Sequence, residues 1–262
     1  MNTSIKTISI LGAGNVGTFF AGSLYNLGYA IHSVYSRNYD DAFLLAKRVG
    51  ARAARNVKEL DNNSDLYIIA IKDDSISELV KNLQVKNGLV VHTSGSIEMD
   101  VLDSISNRIG VLYPLQTFSK GMDLKTKGFP ICIETKQPED YTLLKELSER
   151  LAGVGQAYPI DSKQRKALHL GAVFVCNFTN YLYSIAEDLM KINELPLELL
   201  HPLIIETVNK STINLPSLNQ TGPAKRNDIK VMKQHLELLN SNTGYKEIYK
   251  VISEAIINKY NK

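Results

Sequence analysis

Three polar side chains interrupt an apolar helix that the sequence predicts over residues 166–189, KALHLGAVFVCNFTNYLYSIAEDL. They are His169, Asn177 and Asn180. The apolar residues on almost every side predict that this helix is buried. A buried polar group without a partner costs a few kcal/mol, so each of the three is expected to meet another polar group, a water or a ligand.

Three glycines near the start of the chain have the spacing of a dinucleotide-binding turn. ILGAGNVG places Gly12, Gly14 and Gly17 in the pattern G-x-G-x-x-G, after an apolar strand and at the start of an amphipathic helix. Gly12 would allow the tight turn, Gly14 would let a pyrophosphate approach the backbone, and Gly17 would let the helix pack on the strand. The N–H groups of Asn15 and Val16 would hold the diphosphate. A turn that binds nothing, or that binds S-adenosylmethionine, is the alternative.

The second predicted strand ends in VYSRN, where an NAD site would place an acid that accepts from the ribose 2′-hydroxyl. Ser36 and Arg37 stand there instead. A hydroxyl and a guanidinium suit a 2′-phosphate, so the sequence predicts NADPH rather than NADH. A solvated loop arginine is the alternative. Asp40 and Asp41 come later and are expected to cap the next helix.

Two further predicted strands end in AIKDD and HTSGS. In an open parallel sheet the ligand lies outside the carboxyl ends of the strands. The residues expected to flank the ribose on the adenosine side are Ala70, Ile71 and Lys72. Those expected to approach the nicotinamide and the substrate are Thr93, Ser94 and Gly95. His92 lies inside its strand, which favours a core histidine over a catalytic one.

The elements that would position these residues divide the chain into two parts. Through about residue 160, short β-rich runs alternate with helical segments, which predicts an α/β fold, a doubly wound and mostly parallel Rossmann sheet. The predicted strands are KTISIL, AIHSVY, LYIIAI, GLVVHT, IGVLYP, FPICIE and GQAYPI. Four helical segments follow, at 161–191, 195–211, 227–241 and 243–260. We therefore predict a dinucleotide-binding domain over 1–160 and an all-α domain over 161–262.

The composition is that of an ordinary globular chain. Its 262 residues are 44% hydrophobic, and 30 basic against 27 acidic residues give a net charge of +3. Without a long run of one sign, no nucleic-acid or membrane partner is expected. Cys132 and Cys176 lack metal-binding spacing and are expected to be reduced core residues, with no metal site. No stretch is long and apolar enough for a signal peptide or a membrane span, so a cytoplasmic protein is expected.

Five motifs in order carry a resemblance over nearly the whole chain: GAGNVG, HTSGS, YPLQTFS, LHLGAVFVCNFTN and TGPAKRND. They resemble two-domain reductases with a Rossmann domain and an all-helical second domain. This group includes ketopantoate reductase, the 3-hydroxyacid dehydrogenases, pyrroline-5-carboxylate reductase and the deazaflavin-dependent NADP oxidoreductases. Within it, the chain resembles above all a family of Rossmann-like NADP oxidoreductases whose helical domain has no assigned function.

The resemblance implies that the first long helix of the second domain carries a catalytic Lys and, further along, Asn residues that hold the substrate. If Asn177 matches such an Asn, the Lys position falls on His169, and Lys166 is a rival one turn earlier. A histidine has a pKa near 6.5 and suits acid–base work at neutral pH, so we expect His169 to donate the proton. A histidine that only satisfies a packing neighbour is the alternative. On an ideal α-helix, His169 and Asn177 would lie ~12 Å apart along the axis.

Four more residues are expected to bind substrate, and they are Gln116, Asn180, Arg226 and Asp228. Arg226 could clamp a carboxylate with two hydrogen bonds, whereas Asp228 could equally be a helix cap. These residues and the resemblance predict an NADPH-dependent oxidoreductase that reduces a small carbonyl or imine compound bearing a carboxylate. A non-catalytic NADP-binding sensor is the alternative. The resemblance also implies a homodimer formed through the helical domain.

Overall fold

A computed structural model describes residues 4–119 and 128–261. The chain forms two compact units, Met1–Asn177 and Phe178–Lys262. A β-sheet lies at the centre of the first unit, and the described part of the second unit is helical without strands. The predicted fold class, a Rossmann domain followed by an all-α region, is confirmed.

The described part of the first unit contains one sheet of eight strands. They are β1 (Thr7–Leu11), β2 (Ala30–Tyr35), β3 (Arg52–Ala54), β4 (Leu66–Ile69), β5 (Leu89–His92), β6 (Ile109–Pro114), β7 (Ile131–Thr135) and β8 (Ala157–Pro159). Their order across the sheet is β3-β2-β1-β4-β5-β6-β7-β8. The first six strands are parallel and have the order of a dinucleotide-binding sheet, in which the ligand lies where the strand order reverses, between β1 and β4.

Helices cover both faces of this sheet. They are α1 (Asn15–Asn26), α2 (Tyr39–Arg48), α3 (Ile76–Asn82), α4 (Pro138–Ala152) and α5 (Ser162–Ala172). One face packs with Phe20 of α1 and Leu144 of α4, and the opposite face packs with Ile76 of α3. Because both faces are covered, every residue of β4, β5 and β6 is buried, and their sequences are nearly continuous apolar runs.

Two features of the sheet differ from a simple alternation of parallel strands. β7 runs antiparallel to β6, and β8 is parallel to β7. The sequence did not predict β3, because three residues at an edge are too short for a periodic pattern.

Cys132 of β7 is buried as expected, and burial raises the pKa of its thiol to about 11. Cys176 is half-buried, and both cysteines are free thiols.

The helices of the second unit are α6 (Thr179–Ile192), α7 (His201–Ile213), α8 (Ile229–Leu238) and α9 (Thr243–Tyr260). Large apolar side chains on them are exposed, including Leu203 (64%) and Val251 (64%). The described apolar residues that are buried in this unit are Ala224, Met232 and Leu239. The second unit therefore leaves much of its apolar surface uncovered in the single chain.

The segment that the sequence predicts as one buried helix differs from that prediction in two ways. Val175 is 76% exposed and Leu170 is 59% exposed, so the expectation of burial is wrong for the single chain. Between α5 and α6, residues Val173–Phe178 form a π-helix. A π-helix has a wider turn than an α-helix, so the ideal spacing expected between His169 and Asn177 does not apply.

The first compact unit extends beyond the boundary predicted at residue 160 and includes α5. Arg165 explains why α5 belongs with the sheet. Its side chain is fully buried, forms a salt bridge with Glu134 of β7 and donates to the carbonyl of Ile97.

Within the described ranges, none of the helices is both long enough and apolar enough to cross a membrane.

Candidate active site

A cavity of about 590 Å³ lies in the first unit at the carboxyl ends of β1, β2, β4 and β5. Most residues predicted from the sequence line it. Those from the predicted cofactor set are Gly12, Gly14, Asn15, Val16, Ser36, Arg37, Ala70, Ile71, Lys72 and Thr93. Those from the predicted substrate and catalytic sets are Ser94, Gly95 and His169. One cavity thus joins the glycine turn to the candidate proton donor.

The three glycines of the turn differ in what surrounds them. A Cβ on Gly12 would lie 2.1 Å from the carbonyl oxygen of Ala70, and one on Gly17 would lie 1.8 Å from that of Gly12. Gly12 also has a φ of +122°, which L side chains rarely adopt. A Cβ on Gly14 would meet no atom within 4 Å. Gly12 and Gly17 are therefore required by the fold, while Gly14 leaves space beside the cavity.

The turn opens α1, and the N-terminus of this helix suits an anion. Gly14 is its N-cap and provides no side-chain hydrogen bond, and no acid lies in the first turn. The first N–H groups of an uncapped helix and its dipole attract negative charge. Asn15 has a second contact, because its side-chain amide donates to the carbonyl of Phe118 at 2.8 Å. That bond holds the segment after β6 against α1.

The end of the cavity near β2 carries charges of both signs. Arg37 and Lys72 supply two exposed cations, and Asp41 and Asp73 also line this end. Asn38, rather than an aspartate, caps α2 through its side chain, and Asp40 and Asp41 lie in the first turn. The predicted capping role of the aspartates is therefore filled by Asn38.

A smaller cavity of about 140 Å³ adjoins this end, since Arg37 and Ile71 line both cavities. Tyr35 and Val57 give it apolar walls, and Asn82 adds a polar group. A flat ring with polar edges would fit such a mixed lining.

His92 organises the loop that follows β5. It is fully buried, its Nδ1 accepts from the backbone N–H of Ser94 at 3.2 Å, and its Nε2 lies 3.3 Å from the carbonyl oxygen of Glu98. Burial and then the charge of Arg165 lower the pKa of His92 to about 4. The ring is therefore neutral at neutral pH, with Nε2 protonated to donate to Glu98. Ser94 Oγ in turn accepts from the N–H groups of Ser96 and Ile97.

His169 lies at the opposite end of the cavity from Arg37. Its Nδ1 is 2.9 Å from the hydroxyl of Tyr113, which is the penultimate residue of β6 and also lines the cavity. Tyr113 is a site residue that sequence reasoning missed. The motif YPLQTFS contains it, but nothing in the motif indicates that a tyrosine on β6 meets a histidine on α5.

Six predicted residues have other positions. Gly17 is buried under the turn, Gln116 bonds the N–H of Thr117 through Oε1, and Asn177 is exposed in the π-helical segment. None of the three is among the residues that line this cavity. Asn180 and Arg226 belong to the second unit, so their contribution to the site stays a prediction.

Asp228 also belongs to the second unit. Its side chain accepts from the N–H of Val231 and caps α8, as the alternative reading expects. Its predicted part in substrate binding stays a prediction.

Comparison with known protein families matches two parts of the chain. Residues 7–94 match the family described as NADP oxidoreductase, coenzyme F420-dependent, and residues 129–256 match a domain of unknown function, DUF2520. The two matches lie in the predicted order, a Rossmann part followed by a part whose function has no assignment.

Three solved structures have similar folds. BF3122 of Bacteroides fragilis, a candidate NADP oxidoreductase, is 38% identical with a TM-score of 0.90, over 98% of this chain and 99% of that chain. TM1727 of Thermotoga maritima is 21% identical with a TM-score of 0.68, over 97% and 100%. The imine reductase of Myxococcus stipitatus, solved with NADP+, is 17% identical with a TM-score of 0.69, over 98% and 100%. The last two show a shared fold.

One curated relative matches a shorter stretch. Glutamyl-tRNA reductase of Sulfolobus acidocaldarius is 35% identical over 114 residues, which are 41% of this chain and 27% of that protein. The chain thus spans about a quarter of that relative's length.

The full-length match to BF3122, together with the two domain matches, identifies the family. The chain belongs to the NADP oxidoreductases that combine an N-terminal F420-dependent-type NADP oxidoreductase domain with a C-terminal DUF2520 domain.

Proposed function

We propose that the protein is an NADPH-dependent oxidoreductase that reduces a small compound at a C=O or C=N bond. The observation that carries this proposal is the single cavity that contains both the glycine turn after β1 and the imidazole of His169. Family membership supports the cofactor class, and the cavity supports hydride transfer next to a group that can donate a proton.

The residues present fit a dinucleotide phosphate. Gly14 and the uncapped start of α1 would hold the pyrophosphate, and Arg37 with Ser36 would hold the 2′-phosphate. The smaller cavity beside Arg37 and Ile71 would take the adenine. Thr93 and Ser94, after β5, would then lie beside the nicotinamide.

The chemistry needs a hydride donor and a proton donor. When bound, NADPH supplies the hydride from its nicotinamide. His169 would give a proton to the oxygen or nitrogen that becomes negative as the bond is reduced. Ser94 and Gly95 line the cavity together with His169 and would contact the rest of the substrate.

Spectrophotometric assay of NADPH oxidation with 2-oxo acids, 3-oxo acids and cyclic imines tests this function. We expect turnover with at least one of these classes in the wild type and much slower turnover in His169→Ala. Tight NADPH binding without turnover on any of them would favour the NADP-binding sensor. Failure to bind either nucleotide would contradict the dinucleotide site itself.

We also propose that the protein is a homodimer whose contact surface is the second unit. Leu203, Ile205 and Val208 of α7 are each about half exposed or more, and α6 adds Tyr181 and Leu182. Apolar surface of this extent is typical of protein interfaces. Light scattering at micromolar concentration should give twice the mass of one chain, and Leu203→Glu should shift the mass towards that of one chain. A wild-type monomer would contradict the proposal.

A further inference from the structure

The imidazole of His169 is held between two groups that the reaction itself does not require. On one side the Tyr113 hydroxyl lies 2.9 Å from Nδ1, and the two rings are nearly perpendicular, at 79°. Tyr113 is only 9% exposed. It is therefore a fixed partner rather than a side chain that samples solvent.

Gly95 forms the other side. A Cβ at this position would lie 2.6 Å from both Cγ and Nδ1 of His169. Any larger residue would push the ring away from its present place and from Tyr113. The ring therefore has one position, set by the loop after β5 and by the end of β6.

We infer that Tyr113 is a positioning residue whose hydroxyl oxygen accepts a hydrogen bond from Nδ1–H of His169, which leaves Nε2 as the atom that gives its proton to the substrate. The inference rests on the proposed role of His169 as proton donor. The proton balance is simple. The imidazolium loses the Nε2 proton to the substrate oxygen or nitrogen, keeps Nδ1–H on Tyr113, and regains a proton at Nε2 from solvent.

The properties of Tyr113 favour an acceptor over a proton relay. Burial, helped by the nearby Cys132, raises the pKa of Tyr113 to about 12, so the tyrosine keeps its own proton at neutral pH. A tyrosine that does not ionise cannot pass its proton to Nδ1. A neutral hydroxyl also orients the ring without adding the negative charge of a carboxylate partner.

Nitrogen-15 NMR of histidine-labelled protein tests the inference directly, with His169→Asn used to assign the signal. At a pH where His169 is neutral, the wild type should show mainly the Nδ1–H tautomer, which a free histidine side chain disfavours. Tyr113→Phe should return the ring mainly to the Nε2–H tautomer. It should also lower kcat about tenfold or more while the Kd for NADPH stays unchanged.

Two matched controls separate positioning from loss of structure. Tyr67→Phe removes another buried hydroxyl, which accepts from the N–H of Ser64 and donates to the carbonyl of Asp61, both before the amino end of β4. This variant should lower Tm but leave the tautomer and kcat unchanged. Gly95→Ala should disturb the tautomer as Tyr113→Phe does. Gly171→Ala, where a Cβ would meet no atom within 4 Å, should not disturb it.

An Nε2–H tautomer in the wild type, or a tautomer unaffected by Tyr113→Phe, would overturn the inference. A different result would contradict the proposed function. If His169→Ala kept full turnover while the tautomer behaved as expected, Tyr113 would position a histidine that is not the proton donor.

Discussion

The two ends of the cavity in the first unit are built from different parts of the chain. At the nucleotide end, the decisive groups are backbone ones, namely the turn at Gly12 and Gly14 and the first N–H groups of α1. At the catalytic end, they are the side chains of Tyr113 and His169, which come from β6 and α5 and are 56 residues apart.

This difference predicts how each end responds to substitution. A site made of backbone groups is damaged by an added side chain and should lose nucleotide affinity. A site made of side chains is damaged by removing them and should lose turnover with affinity retained. Substitutions at the two ends should therefore separate Kd from kcat.

The largest effect is expected at the catalytic end. His169→Ala should reduce turnover of an identified substrate roughly 10²- to 10⁴-fold, the usual range for general acid–base catalysis. NADPH affinity and Tm should change little, because His169 is only half-buried. Steady-state kinetics and thermal unfolding on one preparation measure both quantities. A destabilised variant with full activity would show that His169 is a packing residue.

Acid should destabilise the folded protein through His92. Its pKa of about 4 in the folded protein lies below the value of 6.5 for the unfolded chain, so the unfolded chain binds the proton first. This contribution is complete above about pH 6.5 and is lost as the pH falls towards 4, by about 3 kcal/mol in all. Urea unfolding from pH 7 to 4.5 should show a smaller loss in His92→Asn than in the wild type. Equal losses of stability in the two proteins would show that His92 is not the source of the acid sensitivity.

The nucleotide end should respond to a single methyl group. Gly14→Ala adds a Cβ that meets no protein atom and keeps an extended backbone that alanine adopts, so the fold should persist. NADPH affinity should fall about tenfold or more, because the methyl group keeps the pyrophosphate from the N–H groups. Isothermal calorimetry measures the Kd.

Gly22→Ala is the matched control for that experiment. Gly22 lies within α1, and a Cβ there also meets no atom within 4 Å. Alanine should stabilise the helix by roughly 0.5–1 kcal/mol and leave affinity unchanged. If both variants bind NADPH like the wild type, the open space beside Gly14 does not hold the pyrophosphate.

The smallest effect concerns the choice between the two nucleotides. Arg37→Glu should reduce or reverse the preference for NADPH over NADH, since one charge-assisted hydrogen bond is worth roughly 1.5–3 kcal/mol, about tenfold or more in affinity. Arg48→Glu, with the same charge change in the last turn of α2 away from the cavity, should keep the preference. If the wild type bound NADPH and NADH with equal affinity, Arg37 would not bind a 2′-phosphate.

The sequence was informative about the nucleotide end for a physical reason. Glycine spacing records a backbone conformation directly, and the roles predicted for Gly12 and Gly17 match the contacts that a Cβ would make. The strand ends could be predicted too, because buried parallel strands are continuous apolar runs and a ligand lies at their carboxyl ends.

The catalytic end could be predicted only in part. His169 stood out as a polar residue in an apolar segment, but Tyr113 did not, because its partner is fixed by packing α5 against β6. Long-range packing of the same kind places α5 in the first compact unit, beyond the boundary predicted at residue 160. Arg165 binds Glu134, 31 residues earlier, and no local pattern indicates a buried ion pair across that distance.

Because Cys132 is buried, the rate at which its thiol is alkylated can measure local unfolding of the sheet. With its thiol inside the sheet and its pKa raised to about 11, Cys132 presents almost no thiolate to solvent at neutral pH. Cys176, in the π-helical segment, is half-buried rather than buried, so a reagent reaches it more easily. Timed alkylation followed by mass spectrometry would therefore label Cys176 first, and the slower labelling of Cys132 would time the separation of β7 from β6.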